Sequence, residues 1–362
     1  MNNPIIKQIK KGLLLLLIFI TTFFSCSKDD NNQDEEENPT GLTVYVAGIE
    51  NKSNDYNSGS YATLWKNGKV TNLNNGSTSA MAESVYVSGN DVYVAGEELI
   101  GGSKYVAKVW KNGVATNLTD GSKGANAYSV FVAGNNVYVA GSEEGSIGFN
   151  AKVWKNGVAT DLSDGLQSFA NSVFVSGNDV YVAGVQLNIS TFMAVIWKNG
   201  VATKLTNGLK EASANSVFVS GNDVYVGGYE YVNNTSNQTA IAKVWKNGVA
   251  TNLSDGIKPA YITSVFVKDN DVYAAGFQSA EANYTSNLIA MVWKNGVATN
   301  LTDGTYYAKA TGIIVIGDDV YVSGREQSGS NGSDIAKVWK NGVATNLTNG
   351  AKLGRAHAIF VK

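Results

Sequence analysis

The sequence repeats one short segment seven times, and this repetition constrains the fold more than any other feature. The stretch AKVWKNGVATNLTDG occupies residues 107–121. Related copies begin at Ala62, Ala151, Ala194, Ala242, Ala290 and Ala336. Each copy contains one of the seven tryptophans of the chain, and successive tryptophans are 43 to 48 residues apart. A regular period of this size indicates a repeat architecture in which similar units stack to bury a shared core.

Each repeat contains the pattern of four strands. The run SVFVSGNDVYVAG at 172–184 has two alternating, Val- and Tyr-rich halves joined by Gly-Asn-Asp, which is a hairpin signal. A loop of variable length follows, and then Asn-Gly joins two further short strands in AKVWKNGVATNL. Asn-Gly supplies the positive φ angles that a type I′ turn requires. The repeat therefore predicts a four-stranded antiparallel sheet.

The two ends of the repeat region indicate a closed ring. The chain finishes with HAIFVK, which matches only the first strand of a unit, whereas the region begins with GLTVYVAG, which matches only the second. The last strand can therefore complete the first sheet. A linear stack would gain nothing from this split and would need polar capping repeats. We predict an all-β fold for residues 41–362, a seven-bladed β-propeller of four-stranded antiparallel blades closed by the C-terminal strand.

These residues resemble kelch-type propellers. The similarity lies in the hydrophobic-Tyr strands VYVAG and VYVGG that end in glycine, and in the permuted chain ends. Most copies have a single glycine and none has a tryptophan in the fourth strand, so the resemblance concerns architecture. It implies an interaction module more often than an enzyme, and a fold alone establishes neither.

The first 40 residues have a different composition. Lys7, Lys10 and Lys11 precede an apolar run at 13–20, which indicates a secretory signal over residues 1–25 that is too short to span a membrane. Cys26 follows it, in a setting that resembles the lipobox of bacterial lipoproteins, whose cysteine is acylated. Residues 26–40 are polar and acidic, which predicts a flexible tether.

The residues that follow Cys26, SKDD and the acidic run through Glu37, resemble the export signal of Bacteroidota-type surface lipoproteins. This resemblance implies a lipid anchor in the outer membrane with the propeller facing the cell exterior. Two alternatives remain open: a plain secretory signal that ends near a chance cysteine, and a lipoprotein that faces the periplasm. Cys26 is the only cysteine, so no internal disulfide can form.

Charge and composition exclude several function classes. Residues 1–38 hold four of the 28 Lys and Arg and six of the 30 Asp and Glu, which leaves 24 of each sign in the remainder. A neutral domain with evenly spread lysines lacks the basic footprint of a nucleic-acid-binding protein. The single histidine excludes a cluster of histidine metal ligands, and no G-x-S-x-G motif supplies a nucleophile. We expect a monomer without metal or cofactor.

Residues shared by every copy are expected to pack the blades. The tryptophans and the tyrosine of DVYV are interpreted as core, with a ring of sugar-stacking tryptophans as the alternative. A glutamate or glutamine also recurs two residues after the second-strand glycine. Its members are Glu50, Glu98, Glu143, Gln186, Glu230, Gln278 and Glu326. Because amidation would abolish proton transfer, the Glu/Gln interchange favours a structural acceptor over an acid–base role.

Function is expected where the copies differ. In such a blade the second-to-third-strand loop and the blade-to-blade loop emerge at one end, and both tight turns emerge at the other, so variation gathers on one face. The residues aligned just before each first strand are Glu83, Tyr128, Asn171, Asn215, Thr263, Thr311 and His357. Two positions earlier stand Met81, Asn126, Phe169, Ser213, Tyr261, Lys309 and Arg355.

This mixed polar, aromatic and basic set predicts a small-ligand or glycan site at the channel mouth. The candidate binding residues are Arg355, His357, Tyr261, Glu83, Tyr128, Phe169, Asn171, Asn215, Lys309 and Arg325. The leading hypothesis is a non-enzymatic module that binds a glycan, a peptide or a protein. The alternatives are a polysaccharide lyase or glycoside hydrolase that would use Arg355, His357, Tyr261 and Glu83, and an adhesive spacer without a small ligand.

The anchor yields a first prediction. Replacing the thiol by Cys26→Ala should block acylation and leave the protein uncleaved or mislocalised, as seen by fractionation and labelling with a fatty-acid probe. Protease added to intact cells should degrade the unaltered protein if it faces outward. Protection of the unaltered protein from protease would place it in the periplasm.

Overall fold

The computed structural model describes residues 41–53, 59–233, 239–282, 287–330 and 332–362, which form strands and loops but no helix. No segment within these ranges is a helix that could cross a membrane. The strands form seven antiparallel sheets of four strands each, numbered here as blades 1 to 7. The predicted signal, Cys26 and the tether lie outside the described residues.

The strands of each blade have the following bounds. Blade 1 contains β1 (Val44–Asn51), β2 (Ser60–Lys66), β3 (Lys69–Asn72) and β28 (Gly354–Val361). Blade 2 contains β4 (Ala80–Ser88), β5 (Asp91–Ile100), β6 (Lys104–Lys111) and β7 (Val114–Asn117). Blade 3 contains β8 (Ala125–Ala133), β9 (Asn136–Glu144), β10 (Phe149–Lys155) and β11 (Val158–Asp161). Blade 4 contains β12 (Ser168–Ser176), β13 (Asp179–Asn188), β14 (Thr191–Lys198) and β15 (Val201–Lys204). Blade 5 contains β16 (Ala212–Ser220), β17 (Asp223–Tyr231), β18 (Ala240–Lys246) and β19 (Val249–Asn252). Blade 6 contains β20 (Ala260–Lys268), β21 (Asp271–Ser279), β22 (Leu288–Lys294) and β23 (Val297–Asn300). Blade 7 contains β24 (Ala308–Ile316), β25 (Asp319–Gln327), β26 (Asp334–Lys340) and β27 (Val343–Asn346).

The blades form a closed ring, as the chain ends predict. The C-terminal strand β28 pairs antiparallel with β1 and becomes the innermost strand of blade 1. The innermost strands of successive blades contact one another all the way around, including β24 with β28 and β28 with β4. A shared apolar cluster seals the junction of blades 7 and 1, where Trp65 and Ile359 pack with Tyr321 and Val338. The seven-bladed propeller is therefore confirmed.

The repeated aromatic residues form the core between blades. All seven tryptophans are at most 2% exposed, so they cannot act as a ring of stacking platforms. Trp154, for example, reaches from blade 3 into the cluster that contains Tyr93 and Val109 of blade 2. A buried indole removes roughly 150–250 Å² from water, which stabilises the fold by at most about 4–6 kcal/mol before the entropy cost.

A β-bulge interrupts every innermost strand. In blade 2 the pairing moves from Ala82 opposite Gly96 to Ser84 opposite Ala95, which leaves Glu83 as an extra, unpaired residue. The bulge brings two backbones close together, because a Cβ at Gly96 would collide with the carbonyl oxygen of Met81. All blades share this arrangement, which explains why the second strand always contains this glycine.

Neighbouring innermost strands are linked by serine hydroxyls near the bulge. In blades 2 to 6 the serine directly after the bulge residue accepts the backbone N–H of the next blade at 3.0–3.3 Å. These serines are Ser84, Ser129, Ser172, Ser216 and Ser264. Their hydroxyls satisfy backbone groups on the inner edge of each sheet, which no further strand covers.

A belt of aromatic side chains surrounds the axis closer to the tight turns. Neighbouring ring centroids in this belt are 4.7–5.0 Å apart. Its members are Tyr86, Phe131, Phe174, Phe218, Phe266 and Phe360, and Ile314 occupies the corresponding position of blade 7. The belt packs the innermost strands against each other at the end opposite the predicted mouth.

The tight turns and the variable loops separate as predicted. At the Asn-Gly turns both residues have positive φ, for example 51° at Asn112 and 82° at Gly113, as a type I′ turn requires. These turns and the first-to-second-strand turns lie at one end of the ring, which we call the turn face. The longer loops emerge at the other end, called the variable face.

The recurring glutamate is an ion-pair partner. In blades 2, 3, 5 and 7 it pairs with a lysine of the third strand at 2.6–3.1 Å, as Glu98 does with Lys108. Where the third strand carries Val195 or Met291 instead of lysine, the acid is replaced by Gln186 or Gln278. In blades 4 and 6 the loss of the acid thus accompanies the loss of the partner cation, whereas blade 1 keeps Glu50 although its third strand has Thr63 at this position.

Ring closure by β28 can be tested by truncation. Removing all residues after Gly350 should expose the inner edge of β1 and the apolar surface of blade 7, and so cause aggregation or loss of cooperative unfolding. Circular-dichroism melting and light scattering of the truncated and full-length repeat regions would measure this. Equal melting curves would show that the C-terminal strand does not close the ring.

Candidate functional site

The seven bulge residues mark the mouth of the channel on the variable face. They lie within the innermost strands, three residues after each strand begins, and not just before the strands as predicted from the pattern. The residue two positions earlier lies opposite the residue that follows the second-strand glycine, as Phe169 lies opposite Val185. Each blade therefore contributes one bulge residue and one variable cross-strand pair to this face.

Five bulge residues bind the next blade. Each directs a side-chain polar atom to the carbonyl oxygen that precedes the next bulge, at 2.7–3.2 Å. They are Asn171, Asn215, Thr263, Thr311 and His357. We call each such carbonyl a capped carbonyl. Among the candidates, Asn171, Asn215 and His357 are thus held by a structural contact at the rim of the mouth.

Blades 1 to 3 form an acidic corner, which consists of Glu83, Glu97, Tyr105, Tyr128 and His357. The His357 Nδ1 lies 3.1 Å from a carboxylate oxygen of Glu83. Glu97, on β5, is 3% exposed, and its Oε2 has no hydrogen-bond partner among the described residues. A buried carboxyl oxygen without a partner is costly if it carries charge.

The two carboxyl groups of this corner have pKa values that move in opposite directions. Burial raises the pKa of Glu97 well above its usual range, the neighbouring Glu83 charge raises it further, and a hydrogen bond from the Ala127 backbone opposes the shift. Burial also acts to raise the pKa of Glu83, but the charge of His357 and its hydrogen bond outweigh burial and lower it. Glu97 therefore keeps its proton to a higher pH than Glu83 does.

The tyrosines of the corner respond to the same groups. Burial, and then the charge of Glu97, raises the pKa of Tyr105. Burial also raises the pKa of Tyr128, to which the charges of Glu97 and Glu83 add. Both phenols therefore remain neutral proton donors around the two carboxyl groups.

Blades 6, 7 and 1 form a basic corner. The side chains of Arg355 and Arg325 both bind Asp334, with nitrogen–oxygen distances of 2.6 and 3.0 Å. Asp334 is 2% exposed, so it is a buried counter-ion shared by two guanidinium groups. Lys309 Nζ lies 4.2 Å from the ring centroid of Phe277. With one buried carboxylate against three cations, the corner retains positive charge.

A cavity of about 380 Å³ opens between blades 4 and 5, and we call it the aromatic groove. Its lining combines aromatic rings with amide, hydroxyl and carboxyl groups. The lining residues are Phe169, Asn171, Val185, Phe192, Glu211, Ala212, Ser213, Asn215 and Tyr229. The groove thus brings the candidates Phe169, Asn171 and Asn215 together.

Tyr261 joins the groove to the basic corner but is itself buried. It is 5% exposed, stacks on Phe277 with ring centroids 4.9 Å apart, and meets Tyr229 edge-on at 4.7 Å. Tyr307 lies beyond Phe277, within 5.6 Å of the Arg325 guanidinium. Tyr261 is therefore part of a buried aromatic cluster, whereas the prediction was that it would stack on a ligand.

The prediction from sequence missed several residues of the mouth. Glu97, Tyr229 and Phe277 follow the second-strand glycine directly, and Phe192 and Asp334 belong to third strands. One signal was available, because the residue after that glycine differs from copy to copy. Within the described ranges, no group of three or more His, Cys, Asp and Glu side chains could hold a metal ion.

Comparison with known proteins supports the fold. No protein-family model and no curated protein matches the chain. Among solved structures, acylaminoacyl peptidase of Pyrococcus horikoshii is 12% identical with a TM-score of 0.51, over 85% of this chain and 50% of that chain. A puromycin-hydrolysing peptidase of Mycobacterium tuberculosis is 11% identical with a TM-score of 0.54, over 85% and 52%. The chain thus spans about half the length of these two proteins.

A third similar structure is itself a propeller. The β-propeller domain of the Trilobed protease from Pyrococcus furiosus is 11% identical with a TM-score of 0.50, over 85% of this chain and 95% of that chain. That domain has an open velcro topology. The present ring instead closes through the pairing of β28 with β1. At these identities, the comparisons show the β-propeller fold alone.

The buried Glu97 predicts a pH-dependent stability. Because its pKa is higher in the folded protein than the ordinary value of 4.5, the folded state binds more protons than the unfolded chain above about pH 4.5. The contribution of Glu97 to the free energy of unfolding is therefore complete below about pH 4.5 and falls as the pH rises. The neutral Glu97→Gln should remove this slope, gaining up to about 1.4 kcal/mol per pH unit over wild type.

Urea unfolding between about pH 4 and 8 would measure the difference. Glu144→Gln is a suitable control, because Glu144 is an exposed carboxylate on the same face that pairs with Lys104. This control should show no comparable gain with rising pH. Parallel stability curves for wild type and Glu97→Gln would mean that Glu97 is already ionised in the folded protein.

Proposed function

We propose that this protein is a lipid-anchored propeller on the exterior of the outer membrane that binds a glycan without chemical turnover. The observation that carries the proposal is the aromatic groove, whose lining matches the two kinds of surface that a sugar presents. A pyranose ring has an apolar C–H face that packs on aromatic rings, and hydroxyl groups that require hydrogen-bond partners.

Individual side chains of the groove fit these roles. Phe169 and Phe192 are half-buried, with ring centroids 5.9 Å apart, and offer a hydrophobic wall. The amide nitrogen of Asn171 donates to the capped carbonyl oxygen of Ala214. The amide oxygen of Asn171 has no partner within the described ranges. That oxygen is suitably placed to accept a hydrogen bond from a sugar hydroxyl.

The basic corner extends the groove toward an acidic sugar unit. The aromatic cluster of Tyr229, Tyr261 and Phe277 connects the groove to Lys309. Lys309 and the Arg325–Arg355 pair have more positive charge than Asp334 neutralises, so a carboxylate or sulfate of the glycan would be attracted there. An oligosaccharide with an anionic unit is therefore the proposed ligand.

The expected lipid anchor is consistent with this role. Acylation of Cys26 and the acidic tether at 26–40 would hold the propeller away from the membrane, with its mouth accessible to polymers outside the cell. An adhesive spacer would use the same anchor but would not need the aromatic groove.

A carbohydrate-active enzyme is the second candidate, and the acidic corner favours it. Two carboxyl groups with pKa values that move apart are the usual requirement for general acid–base catalysis at a glycosidic bond. The named relatives in fold are peptidases, which favours an enzyme only weakly at 11–12% identity. Product analysis after long incubation with a bound glycan separates the candidates, since a binding module releases no shortened oligosaccharide.

The groove can be tested with two substitutions on one strand. A glycan array would identify ligands, and calorimetry would then compare Phe169→Leu with Phe174→Leu. Both residues belong to β12, but Phe169 lines the groove and Phe174 belongs to the belt near the turn face. Phe169→Leu should weaken binding at least about tenfold through loss of the stacking surface.

Phe174→Leu should leave the affinity unchanged, although it loses a similar packing surface. Thermal melting of both variants would show whether the two changes cost similar stability. Equal affinities of both variants and wild type for every retained glycan would remove the groove from the binding site. Absence of any retained glycan would favour the spacer.

A further inference from the structure

The ring of capped carbonyls is interrupted at two adjacent blades. Blades 4, 5, 6, 7 and 1 each cap a carbonyl of the following blade. At blades 2 and 3 the bulge residues are Glu83 and Tyr128, and no described side chain donates to the carbonyl oxygens of Ala127 and Ala170. These two carbonyl oxygens therefore lack the side-chain donor that the corresponding carbonyl oxygens of the other five blades have.

Glu83 cannot act as a cap. An ionised carboxylate only accepts hydrogen bonds, and Glu83 is engaged with His357 of the preceding blade. Its side chain is 23% exposed and so remains accessible from the mouth. The bulge thus places an acceptor at a position where other blades place a donor.

Glu97 adds a second carboxyl group, one oxygen of which has no hydrogen-bond partner among the described residues. This carboxyl group is buried beside Glu83 and accepts a hydrogen bond from the Ala127 backbone N–H. The titratable groups that act on this corner are Glu83, His357, Tyr105 and Tyr128, and no lysine or arginine is among them. Among these groups, the His357 imidazole is the side chain that contacts the Glu83 carboxylate.

A primary ammonium group meets the needs of this corner. It has one positive charge and three N–H donors, which matches the two carboxyl groups and the uncapped carbonyl oxygen of Ala127. A divalent metal ion fits less well, because the described residues include no group of three metal-ligating side chains. Tyr128 could donate to a neighbouring sugar hydroxyl.

We propose that the acidic corner is a subsite for the protonated amino group of an amino sugar, and that Glu97 releases its proton to solvent when this group binds. The subsite rests on the proposed glycan-binding function and specifies one unit of the ligand. It lies on the opposite side of the groove from the basic corner, so the mouth would recognise a glycan that contains both an amino and an acidic sugar.

Proton release follows from the environment of Glu97. In the free protein burial raises the pKa of this carboxyl and so favours its neutral form, whereas a bound ammonium ion favours the carboxylate. Binding should therefore become tighter as the pH rises toward neutrality, provided that the ligand amine stays protonated. No covalent bond changes, and the buffer takes up the proton.

Two oligosaccharides that differ only in their nitrogen substituent test the proposal. Chitosan hexasaccharide has free amines, and chitin hexasaccharide has the same backbone with acetylated nitrogens. Calorimetry at about pH 6, in two buffers of different ionisation enthalpy, would measure affinity and proton release together. Chitosan should bind at least about tenfold more tightly than chitin, with release of up to one proton.

Variants assign the effect to the corner. Glu83→Gln should abolish the preference for the free amine, and Glu97→Gln should abolish proton release. The control Glu144→Gln should change neither, because this exposed carboxylate pairs with Lys104 outside the corner. Thermal melting would show that the variants remain folded.

The outcomes separate this proposal from the glycan-binding function. Equal binding of both oligosaccharides, sensitive to Phe169→Leu, would overturn the ammonium subsite and leave glycan binding intact. A preference for chitosan that survives in Glu83→Gln and Glu97→Gln would also overturn it. If a trilysine peptide binds but neither oligosaccharide does, the amino-sugar assignment is wrong. The proposal that the protein binds these glycans is then wrong as well.

Discussion

The bulge in each innermost strand is the constraint on which the rest of the propeller mouth depends. One extra residue is inserted without disturbing the pairing on either side, and the close backbone approach it creates requires the second-strand glycine, such as Gly96. The inserted residue has no partner on the second strand of its blade. It can therefore reach the next blade, as Asn215 does, or remain available at the mouth, as Glu83 does.

The repeated residues and the variable residues thus have different roles: the former pack the blades and the latter form the mouth. Tryptophans, second-strand tyrosines and third-strand alanines bury the surface between blades in nearly the same way seven times. The variable positions lie on one face, where they segregate into the acidic corner, the aromatic groove and the basic corner. Such an uneven mouth on a regular scaffold requires only a few substitutions per blade, because the packing beneath does not depend on them.

The sequence predicted the parts of the fold that depend on local patterns. The tryptophan period, the Asn-Gly turns and the split blade were sufficient to predict seven blades, four strands each and closure. The bulge was not predictable, because one inserted residue breaks the alternation of apolar side chains. The segment before Ser84 was consequently assigned to a loop, although β4 already begins at Ala80.

The candidate site was less predictable, because its contacts join residues distant in sequence. The position of Arg355 was found from the repeat alignment, but its buried partner Asp334 belongs to another blade and follows no repeat rule. Glu97 was not among the predicted site residues, and only its proximity to Glu83 gives it chemical interest. Ion pairs and pKa shifts depend on which residues are neighbours in the folded structure. Composition and spacing describe only the order of residues along the chain.

The pairing of the last strand with the first also has a consequence for biosynthesis. Blades 2 to 7 are each built from consecutive strands and can form soon after their segment is synthesised, because their contacts are short in sequence. Blade 1 must wait for β28, more than 300 residues after β1. The ring therefore remains open at one seam until β28 has emerged, so a chain that stops before β28 would retain an unpaired edge that quality-control proteases could recognise.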